Sequence, residues 1–287
     1  MKDDNEKKQG GSSDIDPKML ARIQSLRLMD DDFMTVVFSS DKKLTELLLK
    51  ILLSRDDLRV QSVMTQQEKH NIFGRSVRLD ILAVDENGAQ YNIEIQRADK
   101  GASERRARYN QAMIDSHTLK SGEDFAALPE TYIIFITEND YYGEGEAVYT
   151  VKQCIETKSG KVLTFDDGTH KIYVNGSYRG EDAIGKLMHD FSTPNADEMN
   201  YKEIADTVRF HKQQEGGTRT MCRVFEEYGN ERAAEARAAA MAETRNEFVE
   251  DLLRQNKLTN EEIAAVAKVP LEQVKQIAER IAAPAMA

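Results

Sequence analysis

The sequence predicts an α/β fold: a central mixed sheet flanked by helices, with an α-helical C-terminal extension. Three observations predict it. Residues Gly74 to Arg97 (GRSVRLDILAVDENGAQYNIEIQR) alternate apolar and polar side chains on both sides of a turn, the pattern of a two-stranded hairpin. A helical stretch from about Ser103 to Lys120 then leads to the continuous apolar run Thr131–Thr137. Such a run suits a central strand covered on both faces, and strand, helix, strand is the crossover that makes two strands parallel. Beyond residue 200 the chain reads as helix, with an Ala-rich segment at Ala233–Ala242.

Taken in order, residues 1–16 are polar and Gly/Ser-containing, the composition of a disordered tail. A helix begins near Asp41, with Ser40 or Asp41 as its cap and Leu44, Leu47, Leu48, Ile51 and Leu52 at helical spacing. Residues 59–66 form the first expected strand, followed by the two hairpin strands. Ser103 caps the next helix, and Thr131–Thr137 is the following strand. Residues 147–156, 161–165 and 170–175 are expected as further strands, and Gly185–Asp190 as helix. Tyr201–Gln214 and Thr218–Gln255 are expected as helices broken at Gly216-Gly217. The tail from Lys257 reads as two short helices, one capped by Thr259 or Asn260 and one begun at Pro270. This pair resembles a helix-turn-helix, in which the second helix would offer Gln273, Lys275, Gln276 and Arg280. A helical hairpin for self-association, giving a homodimer through the C-terminal helices, is an equal expectation.

Composition narrows the function classes. With 287 residues, 40% hydrophobic and 31% charged, the chain can bury one sizeable core and an appendage. No apolar run reaches the ~20 residues of a membrane span, and the N-terminus lacks the apolar core of a signal peptide. The two cysteines lie far apart and form no CxxC, which points to a reducing cytoplasm and away from a zinc ribbon. A P-loop, a GxGxxG after a strand, HExxH and GxSxG are all absent, so no organic cofactor is expected. His189 stands alone and reads as structural. The net charge of −11 weighs against nucleic-acid binding, but the count is global and a local basic patch can still bind.

The hairpin carries the candidate chemistry. A two-residue Asn87-Gly88 loop would pair Asp80 with Ile95 and send Asp80 and Glu94 to opposite faces. A three-residue loop, Glu86-Asn87-Gly88, pairs Asp85 with Ala89 and therefore Asp80 with Glu94, with Gly88 left-handed. We prefer the second register, which sets two carboxylates side by side. Such a pair repels unless a cation sits between, and a hard divalent ion, Mg²⁺ or Mn²⁺, suits oxygen ligands. The competing reading is an ordinary hairpin with its polar face exposed. The densest basic stretch follows directly, with Arg97, Lys100, Arg105, Arg106 and Arg108 set against Asp99 and Glu104. It reads either as a solvated helix face or as a surface that contacts phosphate.

Asp80, thirteen intervening residues and then Glu94-Ile95-Gln96 resemble the D-(x)n-ExK signature of PD-(D/E)XK nucleases, with Gln in the Lys position. Five blocks, DDFMTVVFSSDKKLTELLLKILL, FGRSVRLDILA, YNIEIQR, RARYNQAMID and LPETYIIFITEND, resemble in that order the PD-(D/E)XK nuclease family transposases, also called Rpn recombination-promoting nucleases. The similarity spans roughly Asp30 to Tyr201. It implies a restriction-endonuclease-like core at 17–200, with 201–287 as the helical extension. It also implies a Mg²⁺-dependent endodeoxyribonuclease acting on DNA. Asp80, Glu94 and the Ile95 carbonyl would hold the ion, and Gln96 would orient the attacking water. Arg78, Arg97, Arg105, Arg106 and Arg108 would contact DNA. Many such nucleases carry a third acid on the first core helix, where Glu46 is the candidate. Its angular position away from the apolar face favours a solvated role instead. Because Gln96 brings no charge, a nuclease-fold binding or assembly protein of little activity is the alternative.

Overall fold

The computed structural model describes residues 15–71, 74–97 and 99–282. The tail expected at 1–16 lies almost wholly outside the described residues. The chain divides into two compact units, residues 1–222 and 223–287.

The first unit opens with three helices, α1 (Pro17–Ser25), α2 (Asp31–Ser40) and α3 (Lys42–Leu53). Only α3 was expected. Asp41 caps it, its carboxylate accepting the N–H of Lys43 at 2.9 Å. Leu44, Leu48, Leu49 and Leu52 are its buried stripe. Strands β1 (Val60–Lys69), β2 (Val77–Asp85) and β3 (Gln90–Gln96) follow as an antiparallel meander. Helix α4 (Glu104–Thr118), capped by Ser103, crosses to β4 (Thr131–Thr137), which pairs parallel to β3. Ile133, Ile134, Phe135 and Ile136 are all fully buried, as a doubly covered strand requires.

Three short strands come next, β5 (Val148–Val151), β6 (Cys154–Glu156) and β7 (Val162–Thr164), and then β8 (Thr169–Asn175). The single strand expected at 147–156 is two strands, because the chain leaves the main sheet after Val151. β5 pairs with β8, while β6 and β7 form a separate two-stranded ribbon. The main sheet is mixed and six-stranded, in the order β1-β2-β3-β4-β8-β5. Helices α5 (Ala183–Ser192) and α6 (Lys202–Gln213) complete this part of the chain.

The next helix, α7, runs Glu215–Gln255. The break expected at Gly216-Gly217 falls instead at Gln214, and both glycines lie in the first turn of α7. Close approach explains Gly217: a β-carbon there would come within 2.2 Å of the Phe210 carbonyl oxygen. In the second unit, α8 (Asn260–Ala267) starts with a capping box between Thr259 and Glu262, and α9 (Leu271–Ala282) follows. Val249, Ile263, Ala267, Val274 and Ile277 form its small core. Among the described residues, no helix is long and apolar enough to cross a membrane.

Candidate active site

The turn settles the register. The N–H of Asp85 donates to the Ala89 carbonyl at 3.0 Å, and Gly88 adopts φ +85°. Ile81 pairs with Ile93 and Leu82 with Asn92, so Asp80 stands opposite Glu94. The regular pairing stops there. In its place the Asp80 carboxylate accepts the N–H of Ile95 at 3.0 Å, and the N–H of Asp80 points to Glu94 Oε1 at 3.4 Å. Side chains thus replace backbone rungs at the end of the hairpin, and this opens the space in which the acids sit.

An exposed polar face is excluded. Asn92 and Glu94 are fully buried, because α4 lies over this face of β3. Asn110 on α4 donates to Asn92 Oδ1 at 3.2 Å, and Asn92 donates to Glu94 Oε1 at 2.9 Å. One turn earlier on α4, Arg106 reaches Glu94 Oε2 at 2.6 Å through Nη2. Its Nη1 donates to Gln96 Oε1 at 3.2 Å and to the Gly101 carbonyl at 3.1 Å. Burial pushes Glu94 above the usual carboxylate range, against the opposing pull of Arg106 and Asn92. Burial first, then the negative charges of Glu94 and Asp31, push Asp80 up to about 8. The acid pair is short of positive charge.

Asp31 was not foreseen. It opens α2, lines the same cleft and raises Asp80. Gln66 on β1 donates to Asp31 at 3.3 Å and to Thr35 at 3.0 Å. Gln66 lies between the paired residues Thr65 and Gln67 and so stands opposite Asp80, with φ +51° in the middle of a strand, a left-handed conformation costly for a non-glycine residue. The DDF of the first family block was the available signal for Asp31. Glu46, the acid considered at sequence level, lies elsewhere. It pairs with Lys50 at 2.6 Å and accepts the N–H of Val60 at 3.0 Å, which ties α3 to β1.

The cleft holds about 910 Å³ and is lined by Arg75, Arg78, Arg97, Arg105, Arg106 and Arg108 around Asp80, Ile95 and Gln96. Six arginines in one cleft answer the objection raised by a net charge of −11. They are not equivalent. Arg75, Arg78, Arg105 and Arg108 are exposed. Arg97 is exposed but committed to Asp30 at 2.9 Å and Glu138 at 3.3 Å. Arg106 turns inward to the acids.

The donor set suits a hard cation. Two neighbouring carboxylates held above their ordinary pKa by burial and repulsion would gain from a divalent charge. Strand alternation sends the Ile95 carbonyl to the same side as its N–H, which meets Asp80. Among the described residues no group of three or more His, Cys, Asp or Glu side chains converges to hold an ion. The Ile95 carbonyl and water would therefore have to complete the shell.

In the second unit, two of the four expected base readers on α9 are engaged within the protein. Gln273 donates to Asn246 at 2.8 Å, and Arg280 pairs with Glu250.

A mixed six-stranded sheet flanked by helices is the architecture of a PD-(D/E)XK nuclease core. Residues 33–175 match the profile of the PD-(D/E)XK nuclease family transposases, and through this segment the chain belongs to that family. No curated protein and no solved structure gave a match.

Proposed function

We propose that this protein is a metal-dependent DNA endonuclease that hydrolyses phosphodiester bonds, of the transposon-derived, recombination-promoting (Rpn) type. One observation carries the proposal: half-buried Asp80 lines an arginine-rich cleft, and the fully buried Glu94 stands directly beside it. Asp80, Glu94 and the Ile95 carbonyl would hold Mg²⁺ or Mn²⁺. Bound there, such an ion lowers the pKa of a water and neutralises charge on the phosphate. The chain supplies the rest. Asn110 and Asn92 fix the Glu94 carboxylate, so it is oriented before any ligand arrives. Gln96 Oε1 accepts from Arg106, and the amide N–H groups of Gln96 would be left to orient a water. Arg75, Arg78, Arg105 and Arg108 would grip the DNA backbone, a contact that positions without reading sequence. Asp31 would add negative charge on the α2 side of the site.

Supercoiled plasmid incubated with the purified full chain tests the reading. Nicking is expected with Mg²⁺ or Mn²⁺, none in EDTA, and none from a folded Asp80→Ala protein. Full Mg²⁺-dependent nicking by folded Asp80→Ala removes the assignment. A second reading, a binding or assembly protein, draws on the Arg106 contact that already occupies Glu94. It gains if the wild-type protein retards DNA in a gel but nicks none with either ion. A homodimer through the C-terminal helices is proposed from the exposed Met241, Phe248 and Val266 of the second unit. A monomeric mass in light scattering would exclude it.

A further inference from the structure

Arg106 is the one cation that touches the acid pair among the described residues, and its contacts set it apart from the other arginines of the cleft. A phosphate-gripping arginine presents its guanidinium to solvent. This one is held on three sides by acceptors of the protein: Glu94 Oε2 at 2.6 Å, Gln96 Oε1 at 3.2 Å and the Gly101 carbonyl at 3.1 Å. Its guanidinium also lies 6.0 Å from the centre of the buried Phe135 ring. The planar fork lets one guanidinium span Glu94 and Gln96 at once, which an ammonium on a single stem does less well.

The same geometry gives a reason for Gln at position 96. The Gln96 side chain faces the guanidinium with its carbonyl oxygen, so what Arg106 needs there is an acceptor. A lysine at 96 would bring an ammonium against the guanidinium. Gly101 completes the arrangement. It approaches so closely that a β-carbon would fall 1.9 Å from Gln96 Oε1, so any other residue would push the carboxamide away from Arg106.

We infer that Arg106 carries the positive charge of the site from helix α4, with Gln96 as the acceptor that positions it, the two acting together where a motif lysine would act alone. The inference rests on the nuclease reading for the purpose of that charge, which is to stabilise the negative oxygens of a phosphate in the transition state. The pairing itself does not depend on that reading.

A charge-exchange cycle tests it, with the full chain as wild type, Arg106→Met, Gln96→Lys and the double variant. Two readouts are taken: single-turnover plasmid nicking in Mg²⁺ and melting temperature in EDTA. Arg106→Met is expected to slow nicking about 10²–10³-fold, with DNA affinity changed by no more than a few-fold. Gln96→Lys is expected to slow nicking and lower the melting temperature, because two cations then face each other. The double variant is expected to nick at least about tenfold faster than Arg106→Met and to melt above Gln96→Lys, since the lysine now takes over the vacated position. Nicking at the wild-type rate by Arg106→Met overturns the inference. So do additive effects in both readouts. Arg106→Gln and Arg106→Lys, which keep a polar partner for Glu94, replace Arg106→Met should it not fold. A wild-type protein that nicks nothing with any divalent ion overturns the nuclease reading instead. The EDTA cycle then decides the Arg106–Gln96 pair alone, and additivity there overturns it.

Discussion

The carboxylate of Asp80 accepts the backbone N–H of Ile95 at 3.0 Å, a rung that links β2 to β3 where their regular pairing has ended. One oxygen of Asp80 is thereby committed to the fold, and the carboxyl is held beside Glu94. Positioning of the acids is thus part of the hairpin itself.

Asn92 is fully buried: it accepts from Asn110 and donates to Glu94 at 2.9 Å and to the Ile81 carbonyl at 3.4 Å, so it passes the grip of Asn110 to Glu94. Asn92→Leu keeps the branched shape of the side chain and removes the donor. Metal affinity or nicking should fall about 10–100-fold, the usual cost of losing a group that orients a metal-binding carboxylate. Isothermal titration with Mn²⁺ and a nicking assay would measure it. Unchanged values in both would show that Glu94 is held well enough without Asn92.

Arg105 and Arg108 line the cleft and are exposed, free of the contacts that occupy Arg97 and Arg106. The double change Arg105→Glu with Arg108→Glu should weaken DNA binding about equally for unrelated sequences. The slope of log affinity against log salt should become shallower by about one unit per lost contact. Fluorescence anisotropy at several salt concentrations gives the slope, and an unchanged slope would move the DNA surface elsewhere.

Lys212 is a buried cation of a different kind. Its ammonium donates to the carbonyls of Gln24 at 3.0 Å, Leu26 at 2.5 Å and Pro194 at 2.5 Å, which ties α6 to the end of α1 and to the segment after α5. Lys212→Met fills similar space but leaves buried carbonyls without a donor. A loss of about 2–4 kcal/mol is expected in urea unfolding, with the cleft chemistry unaffected. A loss below about 0.5 kcal/mol would mean that water or relaxation satisfies those carbonyls.

Much of this arrangement is legible in the sequence, and the reasons are local. The Glu86-Asn87-Gly88 loop places Asp80 opposite Glu94 through period-two alternation, and the apolar run of β4 marks a covered strand. Asp31 was missed because its place in the cleft depends on how α2 packs on β1, through Gln66 and Thr35, a contact far apart in sequence. Arg106 was grouped with its neighbours by composition. Spacing separates it: Arg106, Asn110 and Met113 recur at i, i+4 and i+7, the face of α4 turned to the sheet, while Arg105 and Arg108 fall outside it. The global charge of −11 carries no position, and the local run Arg97–Arg108 with Arg78 was the better signal for the cleft, to which the structure adds Arg75.

The last prediction concerns the stability of the metal-free protein against pH. Asp80 is raised to about 8 in the fold, from an ordinary value of 3.8. A raised carboxyl binds its proton more tightly when folded. Its contribution to stability is therefore fully present below about pH 4 and is lost as pH rises through 8. Asn at position 80 cannot ionise and keeps the neutral state throughout. Wild type and Asp80→Asn should thus have similar stability near pH 4, and the variant should gain on wild type between pH 4 and 8. The gain is at most about 1.4 kcal/mol per pH unit. Urea unfolding in EDTA at pH 4, 6 and 8 measures the gap. Adding Mg²⁺ at pH 8 should narrow it, because an ion that binds only the folded wild type replaces the missing positive charge. Parallel curves in EDTA would mean that Asp80 ionises in the fold as freely as in water, and the case for an acid pair short of cation would fail with it.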